Sequence, residues 1–329
     1  LAKPRLQLAT VQAELTHVSV SEFVGERLPA DALGLLHPKL IAAVADEKPR
    51  VDLVAVTLYP LSSATADLNL TQDEVLAYVD PVGPALLRAA ARNFKEVVPL
   101  CDPDDYQQAV DTFKAYDRML PDRRQILAAK AFHYSAYYDS TVAQYLGGQW
   151  EQFPDEVVVA LKKSADLRYG ENPHQAGAFY TLSGARPWGL NAAQLHLGRP
   201  LAYGHYLDLE TAWELVTAFS EPACAIVKHG VPAGFACGEE LSKAARLAYT
   251  GDPRGCYRGT AAVNGEVDER AAEFFADEFV GCLAAPEFSV KALQLLKTKK
   301  DVRLVALPSK LISPHELDLR AVAGGMLVQ

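Results

Sequence analysis

The chain has 329 residues, 50% of them hydrophobic and 22% charged, a composition that accommodates two folded domains and excludes an intrinsically disordered chain. Its formal net charge of -9 excludes a general nucleic-acid binder, which needs a basic surface, although a local pair such as Arg168 and Lys228 can still take a small phosphorylated ligand. No apolar run approaches the length of a membrane span and no basic-then-apolar leader opens the chain, so a cytoplasmic location without a membrane partner is expected.

Residues 1–50 give weak signals, with Pro4, Pro29 and Pro38 interrupting short helical runs. Residues 51–58 read as a buried strand closed by Tyr59 and Pro60. A polar loop leads to a helix near 72–78, a turn at 80–84, and a helix over 85–96 with Pro84 in its first turn. A strand at 97–101 follows, and the alternation predicts a parallel sheet. Helices are expected over 104–114 and 122–146, the second carrying aromatics that read as packing. Gly147 and Gly148 end it, which makes the span to Pro154 the candidate linker.

The second half opens on residues 167–175, where Arg168, Tyr169, Asn172 and His174 are interspersed with Gly170 and Pro173 in a loop of mixed polar chemistry. A helix over 208–219, a strand at 223–227 and a helix over 238–249 come next. Strands at 260–263 and 279–283 flank a helix over 266–277, and a helix over 289–297 precedes a strand at 302–306. The strand at 223–227 delivers Lys228 and His229 into a segment punctuated by Gly230, Pro232 and Gly234, which reads as loop. Strand ends are usual places for sites in α/β folds. Lysine supplies a positive charge and histidine a group that titrates near neutrality, a pair suited to removing a proton from a nucleophile while negative charge grows on an oxygen. The bland alternative is a surface lysine beside a histidine that caps a strand. Five widely spaced cysteines include no C-x-x-C pair, so neither a metal site nor a disulfide framework is expected.

Taken in order, residues 167–175 and 227–234, Asp252 with Pro253, the run from Asn264 to Asp268 and the run from Ala285 to Ser289 resemble the AICAR transformylase/IMP cyclohydrolase family. The first half joins in through Leu36, His37, Pro38 and Lys39, then Thr57 to Pro60, Asp80 with Gly83 and Pro84, Arg88 to Asn93, Lys130 to Phe132 and Tyr138 to Ser140. The resemblance implies a methylglyoxal-synthase-like parallel-sheet domain over 1–150, of the cyclohydrolase kind. Over 155–329 it implies the front portion of a transformylase domain, a cytidine-deaminase-like layered α/β fold without that fold's zinc. The family's transformylase moves a formyl group from 10-formyltetrahydrofolate to the exocyclic amine of AICAR, and its cyclohydrolase closes the ring to give IMP. By this resemblance His229 takes the amine proton and Lys228 stabilises the oxyanion. Arg168, Tyr169, Asn172, His174, Asp208 and Gly259 surround the nucleotide, while Tyr59, Asp80, Gly83 and Arg92 fall on cyclohydrolase-site positions. Asp80 also reads as an ordinary turn aspartate at a helix entrance.

The chain departs from the family in several places. Upstream of Thr16 no opening strand with a serine-lysine loop is found, the Gly-rich phosphate turn is missing, and Ala32 to Leu35 replace an Arg-x-Lys-Thr tetrad. A phosphate site without those groups has little to hold an anion, so cyclohydrolase activity is expected to be lost. Gly204 and His205 replace an Asn-Asn pair, and Gly281 stands where the family has a carboxylate. Residues 324–329 match a run the family carries in mid-domain, which predicts an uncovered apolar face and either a homodimer or a complex with a chain that supplies the missing C-terminal half. Two functional expectations follow. One is formyl transfer to AICAR in purine biosynthesis; the other is a non-catalytic diverged relative that serves as a nucleotide-binding or protein-interaction subunit.

Overall fold

The computed structural model describes residues 8–14, 17–19, 44–46, 52–59, 61–67, 69–147, 153–183, 189–278, 281–299, 302–308 and 318–329. The chain divides into two compact units, residues 1–161 with 182–184 and residues 162–181 with 185–329. The run Leu36 to Lys39, the segment 32–35, Thr16, Pro60, Gly148 and Phe279 lie outside the described residues, as do Pro4, Pro29 and Pro38.

In the first unit the elements run β1 (Leu8–Glu14), β2 (His17–Ser19), β3 (Leu53–Thr57), α1 (Leu61–Ala66), α2 (Gln72–Ala77), α3 (Gly83–Arg92), β4 (Val98–Leu100), α4 (Tyr106–Tyr116) and α5 (Pro121–Gly147). The sheet order is β2-β1-β3-β4. The β1–β3 and β3–β4 pairs are parallel, and β2 adds an antiparallel edge. The strand β1 corrects the reading that no opening strand lies upstream of Thr16: Leu8–Glu14 pairs in parallel with β3. Buried Leu53 through Val56 explain why β3 is central: a strand covered on both faces needs an apolar residue at every position. Its period-two alternation divides the core. Val54 and Val56 pack with Leu86, Leu87, Ala90 and Ala91 of α3, whereas Leu53 and Ala55 pack with Ala109 of α4 and Leu127 of α5. The α3 helix ends at Arg92, earlier than its apolar pattern predicts, and Asn93 is its C-cap. Asn93 instead ties its side-chain amide to the carbonyls of Val44 and Asp46.

In the second unit, β5 (Leu161–Leu167) pairs with β6 (Gly177–Leu182), with Leu161 and Leu182 themselves assigned to the first unit. There follow β7 (Gln194–Leu197), α6 (Tyr203–Thr217), β8 (Ala223–Lys228), β9 (Val231–Cys237), α7 (Leu241–Gly251), α8 (Pro253–Cys256), β10 (Thr260–Val263), α9 (Glu269–Asp277), β11 (Cys282–Ala285), α10 (Val290–Leu296), β12 (Arg303–Ala306), β13 (Leu319–Val322) and β14 (Gly325–Val328). Six strands form a mixed sheet in the order β7-β12-β11-β10-β8-β9, with β10, β11 and β12 parallel and the outer pairings antiparallel. One face packs on α7, α9 and α10 through residues such as Ile226, Ala245, Phe275 and Leu296. The other is covered by α6 through Leu209, Ala212, Trp213 and Val216. Helix, sheet and helix make three layers.

The segment from Val231 to Gly234 corrects the sequence expectation of a loop: it is the first part of β9. Proline is tolerated there because β9 is an edge strand. Gly234 lets the strand press on α7, since a Cβ would lie 2.1 Å from the Ala248 carbonyl oxygen.

Candidate functional site

Lys228 is the last residue of β8 and Val231 the first of β9, paired across a two-residue turn. Both turn residues have positive φ, +54° at His229 and +72° at Gly230, the signature of the tight turns whose twist matches a hairpin. Glycine adopts that conformation freely, but histidine does so at a cost. Asp208, one turn into α6, anchors the turn by accepting the Gly230 N–H at 2.7 Å. Its other oxygen lies 3.5 Å from the Thr260 hydroxyl, which donates to it.

The neighbouring side chains differ in their surroundings. Lys228 is half-buried and donates from Nζ to the carbonyl of Tyr257 at 2.9 Å, whereas His229 is exposed. Burial raises the Asp208 carboxyl above the usual range, opposed by the Gly230 N–H, the nearby His229 and the Thr260 hydroxyl. Gly259 belongs to the Tyr257 loop and lies close against β8: a Cβ there would stand 3.0 Å from the Val227 carbonyl. Lys228, His229, Asp208 and Gly259 therefore gather at one end of the sheet. An ammonium, an imidazole and a carboxylate in that arrangement can stabilise a developing oxyanion and accept a proton.

The residues after β5 form a self-closed loop. Gly170 donates its N–H to the Gln175 carbonyl at 2.7 Å, and the Asn172 backbone and side-chain amides both donate to Gln175 Oε1. Asn172 thus shapes the loop, while Arg168 and His174 are exposed. The Arg168 guanidinium lies 5.8 Å from the Tyr169 ring centroid, a cation–π contact. The Tyr169 carbonyl accepts from the Tyr203 N–H at 3.4 Å, so the start of α6 is tied to this loop while Asp208 of the same helix is tied to the His229 turn. Phe179 of β6 stacks on Tyr206 at 4.5 Å.

In the first unit, Asp80 Oδ1 accepts from the N–H groups of Val82 and Gly83 at 2.8 and 2.9 Å, satisfying amides that a helix start leaves open. The Asp80 N–H donates to the Tyr138 hydroxyl, which in turn donates to the Tyr78 carbonyl. Tyr59 stacks on Tyr78 at 4.6 Å. Gly83 has no room for a side chain, since a Cβ would lie 2.4 Å from Asp80 Oδ2. Arg92 sits at the opposite end of α3, about 14 Å away along the axis, so Asp80 and Gly83 are brought together and Arg92 is not. Asp80 and Tyr138 line a cleft of about 350 Å³ whose rim carries an Arg88–Asp139 ion pair at 2.7 Å.

Sequence reasoning missed Thr260, the Tyr257 carbonyl and the Arg88–Asp139 pair. A backbone carbonyl leaves no mark in residue type, and Thr260 becomes relevant only through its register with Val227. Among the described residues no cluster of three or more His, Cys, Asp or Glu side chains is placed to hold a metal, and no helix is long and apolar enough to cross a membrane.

The family model described as AICARFT/IMPCHase bienzyme matches residues 90–329. The bifunctional purine biosynthesis protein PurH of Anoxybacillus flavithermus is 39% identical over 281 residues, covering 85% of this chain and 55% of that protein. The PurH of Myxococcus xanthus is 41% identical over 286 residues, covering 84% and 55%. The chain thus spans about half the length of the curated relatives it matches. A solved chain described as the crystal structure of ForH aligns with a TM-score of 0.26 and 32% identity, covering 33% of this chain and 63% of that one, too small a superposition to bear on the fold.

Proposed function

This chain belongs to the AICARFT/IMPCHase bienzyme family, and on that premise we propose that its second unit transfers a formyl group from 10-formyltetrahydrofolate to the exocyclic amine of AICAR, a step of purine biosynthesis. The observation that carries this reading is the β8–β9 turn, where Lys228 is held by the Tyr257 carbonyl and His229 projects beside Asp208.

The amine nitrogen of AICAR attacks the formyl carbon, and the carbonyl electrons move onto oxygen, where the Lys228 ammonium stabilises them. His229 takes the proton released by the amine. Collapse of the intermediate breaks the bond to the folate nitrogen, which leaves with the proton returned by His229. Arg168 and Tyr169 hold the phosphate and base of the nucleotide, the planar guanidinium suiting a phosphate. Asn172 maintains the loop, and His174 and Gly259 line the nucleotide's surroundings. The formyl donor is a substrate, and the proposed chemistry uses no metal.

The first unit is proposed as a methylglyoxal-synthase-like domain that has lost cyclohydrolase activity, and the second as the front portion of a cytidine-deaminase-like transformylase domain. The Asp80 oxygen engaged by two backbone amides supports a structural role for that residue. The proposed assembly is a homodimer. A second reading, a non-catalytic nucleotide-binding or interaction subunit, is favoured by Gly281, which stands where the family has a carboxylate.

The test is an assay of the purified chain for formyl transfer to AICAR, alone and with candidate partner subunits, with Lys228→Ala as control. Turnover that disappears in the variant supports the enzyme reading. Saturable AICAR binding without turnover in any combination favours the second.

A further inference from the structure

Arg303 opens β12 in register with Cys282 of β11, which is itself in register with Thr260 of β10. The guanidinium thus lies in the terminal row of the sheet, on the side covered by α6. Its stem is confined by Gly198, where φ is +101° and a Cβ would stand 3.0 Å from Arg303 Cγ. Arg303 Nη1 points to the Gly281 carbonyl at 3.4 Å. Its Nε is buried and has no hydrogen-bond partner, and no carboxylate among the described residues forms an ion pair with it. A buried guanidinium nitrogen without an acceptor is costly, and Nε stands without one at this point.

The topology brings a second donor to the same corner. The strand β7 pairs with β12 through Leu197 and Leu304, and only five residues separate its end from the start of α6. His205, in the first turn of α6, accepts the Ala202 N–H on Nδ1 at 3.1 Å, so the neutral ring carries its proton on Nε2. Burial and the nearby Arg303 push this histidine down to about 4, which keeps it neutral near pH 7. Ala202, at the N-cap of α6, offers no side-chain oxygen to the helix start, and the free end of the helix dipole adds to the positive field.

We propose that the corner between the first turn of α6 and the start of β12 is an oxyanion site, in which the Nε–Nη2 edge of Arg303 and the Nε2–H of His205 hold a carboxylate or phosphate group of a small-molecule ligand. That edge of the guanidinium is the one that takes two oxygens side by side. The inference stands on the geometry of this corner and not on the formyl-transfer reading.

The test is a titration of the full chain, carrying ¹⁵N-labelled histidine, with inorganic phosphate and separately with acetate. The expected result is a saturable shift of one imidazole nitrogen signal, assigned to His205 by its absence in His205→Phe. Arg303→Gln should weaken the apparent affinity at least tenfold, and Lys243→Ala should leave it within about twofold, because Lys243 is an exposed residue of α7 paired with Glu239, on the face of the sheet away from α6. If Arg303→Gln does not fold, Arg303→Lys, which keeps the charge and loses the two-pronged edge, serves the same comparison. Saturation by phosphate assigns a phosphate-bearing ligand, and saturation by acetate alone a carboxylate-bearing one. A His205 signal that neither anion moves, or that moves equally in the Arg303 variant, overturns the proposal.

Discussion

The turn at Asp80 and the turn at His229 both place polar side chains where the chain changes direction, and they use them in different ways. At Asp80 the side chain does the structural work, with Oδ1 shared by two amides and the residue's own N–H on the Tyr138 hydroxyl. At His229 the turn is held by backbone pairing and by Asp208 from another element, and the imidazole makes no hydrogen bond among the described residues. A side chain consumed in holding a turn has little left for a ligand. One that the turn merely displays remains available for chemistry.

Substitutions can break or sharpen this contrast. The largest expected effect is on the proposed catalysis: if the second unit transfers formyl groups as proposed, Lys228→Ala should lower that transfer about 10²- to 10³-fold, the range for removing one oxyanion-stabilising donor, with the urea midpoint nearly unchanged. A loss below tenfold in a steady-state assay would place Lys228 outside the chemistry. Next comes Gly83→Ala, whose Cβ would collide with Asp80 Oδ2 and with Leu58 at 2.6 Å; it should destabilise the first unit by about 2–3 kcal/mol in equilibrium unfolding. Asp80→Ala should cost about 1 kcal/mol as a lost helix cap, with Asp80→Asn costing less because asparagine can also accept. If Asp80→Ala unfolds at the wild-type urea concentration, the capping role is wrong.

His229→Gly should act in the opposite direction on stability. Relief of the left-handed conformation, reduced by the extra freedom of glycine, should stabilise the chain by about 0.5–1 kcal/mol, while formyl transfer is lost. A further effect concerns pH. His205 is held down to about 4 from 6.5, so its folded form binds a proton less readily than its unfolded form. The stability it contributes is present above pH 6.5 and is lost as pH falls towards 4. Thermal melts of wild type and His205→Asn should therefore differ in slope across that window and run parallel above it.

The limits of legibility follow from particular residues. Helices with a strong apolar stripe, such as α3 and α9, could be read from spacing, and so could the central strands β3, β8 and β10, whose residues are apolar at almost every position. The strand β9 could not, because Pro232 and Gly234 look like loop residues until the edge position and the contact with α7 are known. Cys282–Ala285 begins three residues later than the strand expected there, since its register against Thr260 and Arg303 sets its limits.

Local chemistry and order along the chain determined family membership, the alternation of strands and helices, and the adjacency of Lys228 and His229, because each depends on residue type and spacing alone. Tertiary structure decided which polar groups find partners. Asp208 meets Gly230 across 22 positions, Lys228 meets the Tyr257 carbonyl across 29, and Arg303 arrives in the sheet with Nε unmatched. Such pairings are set by strand order and register, which bring together residues far apart in sequence and leave no periodic trace in it.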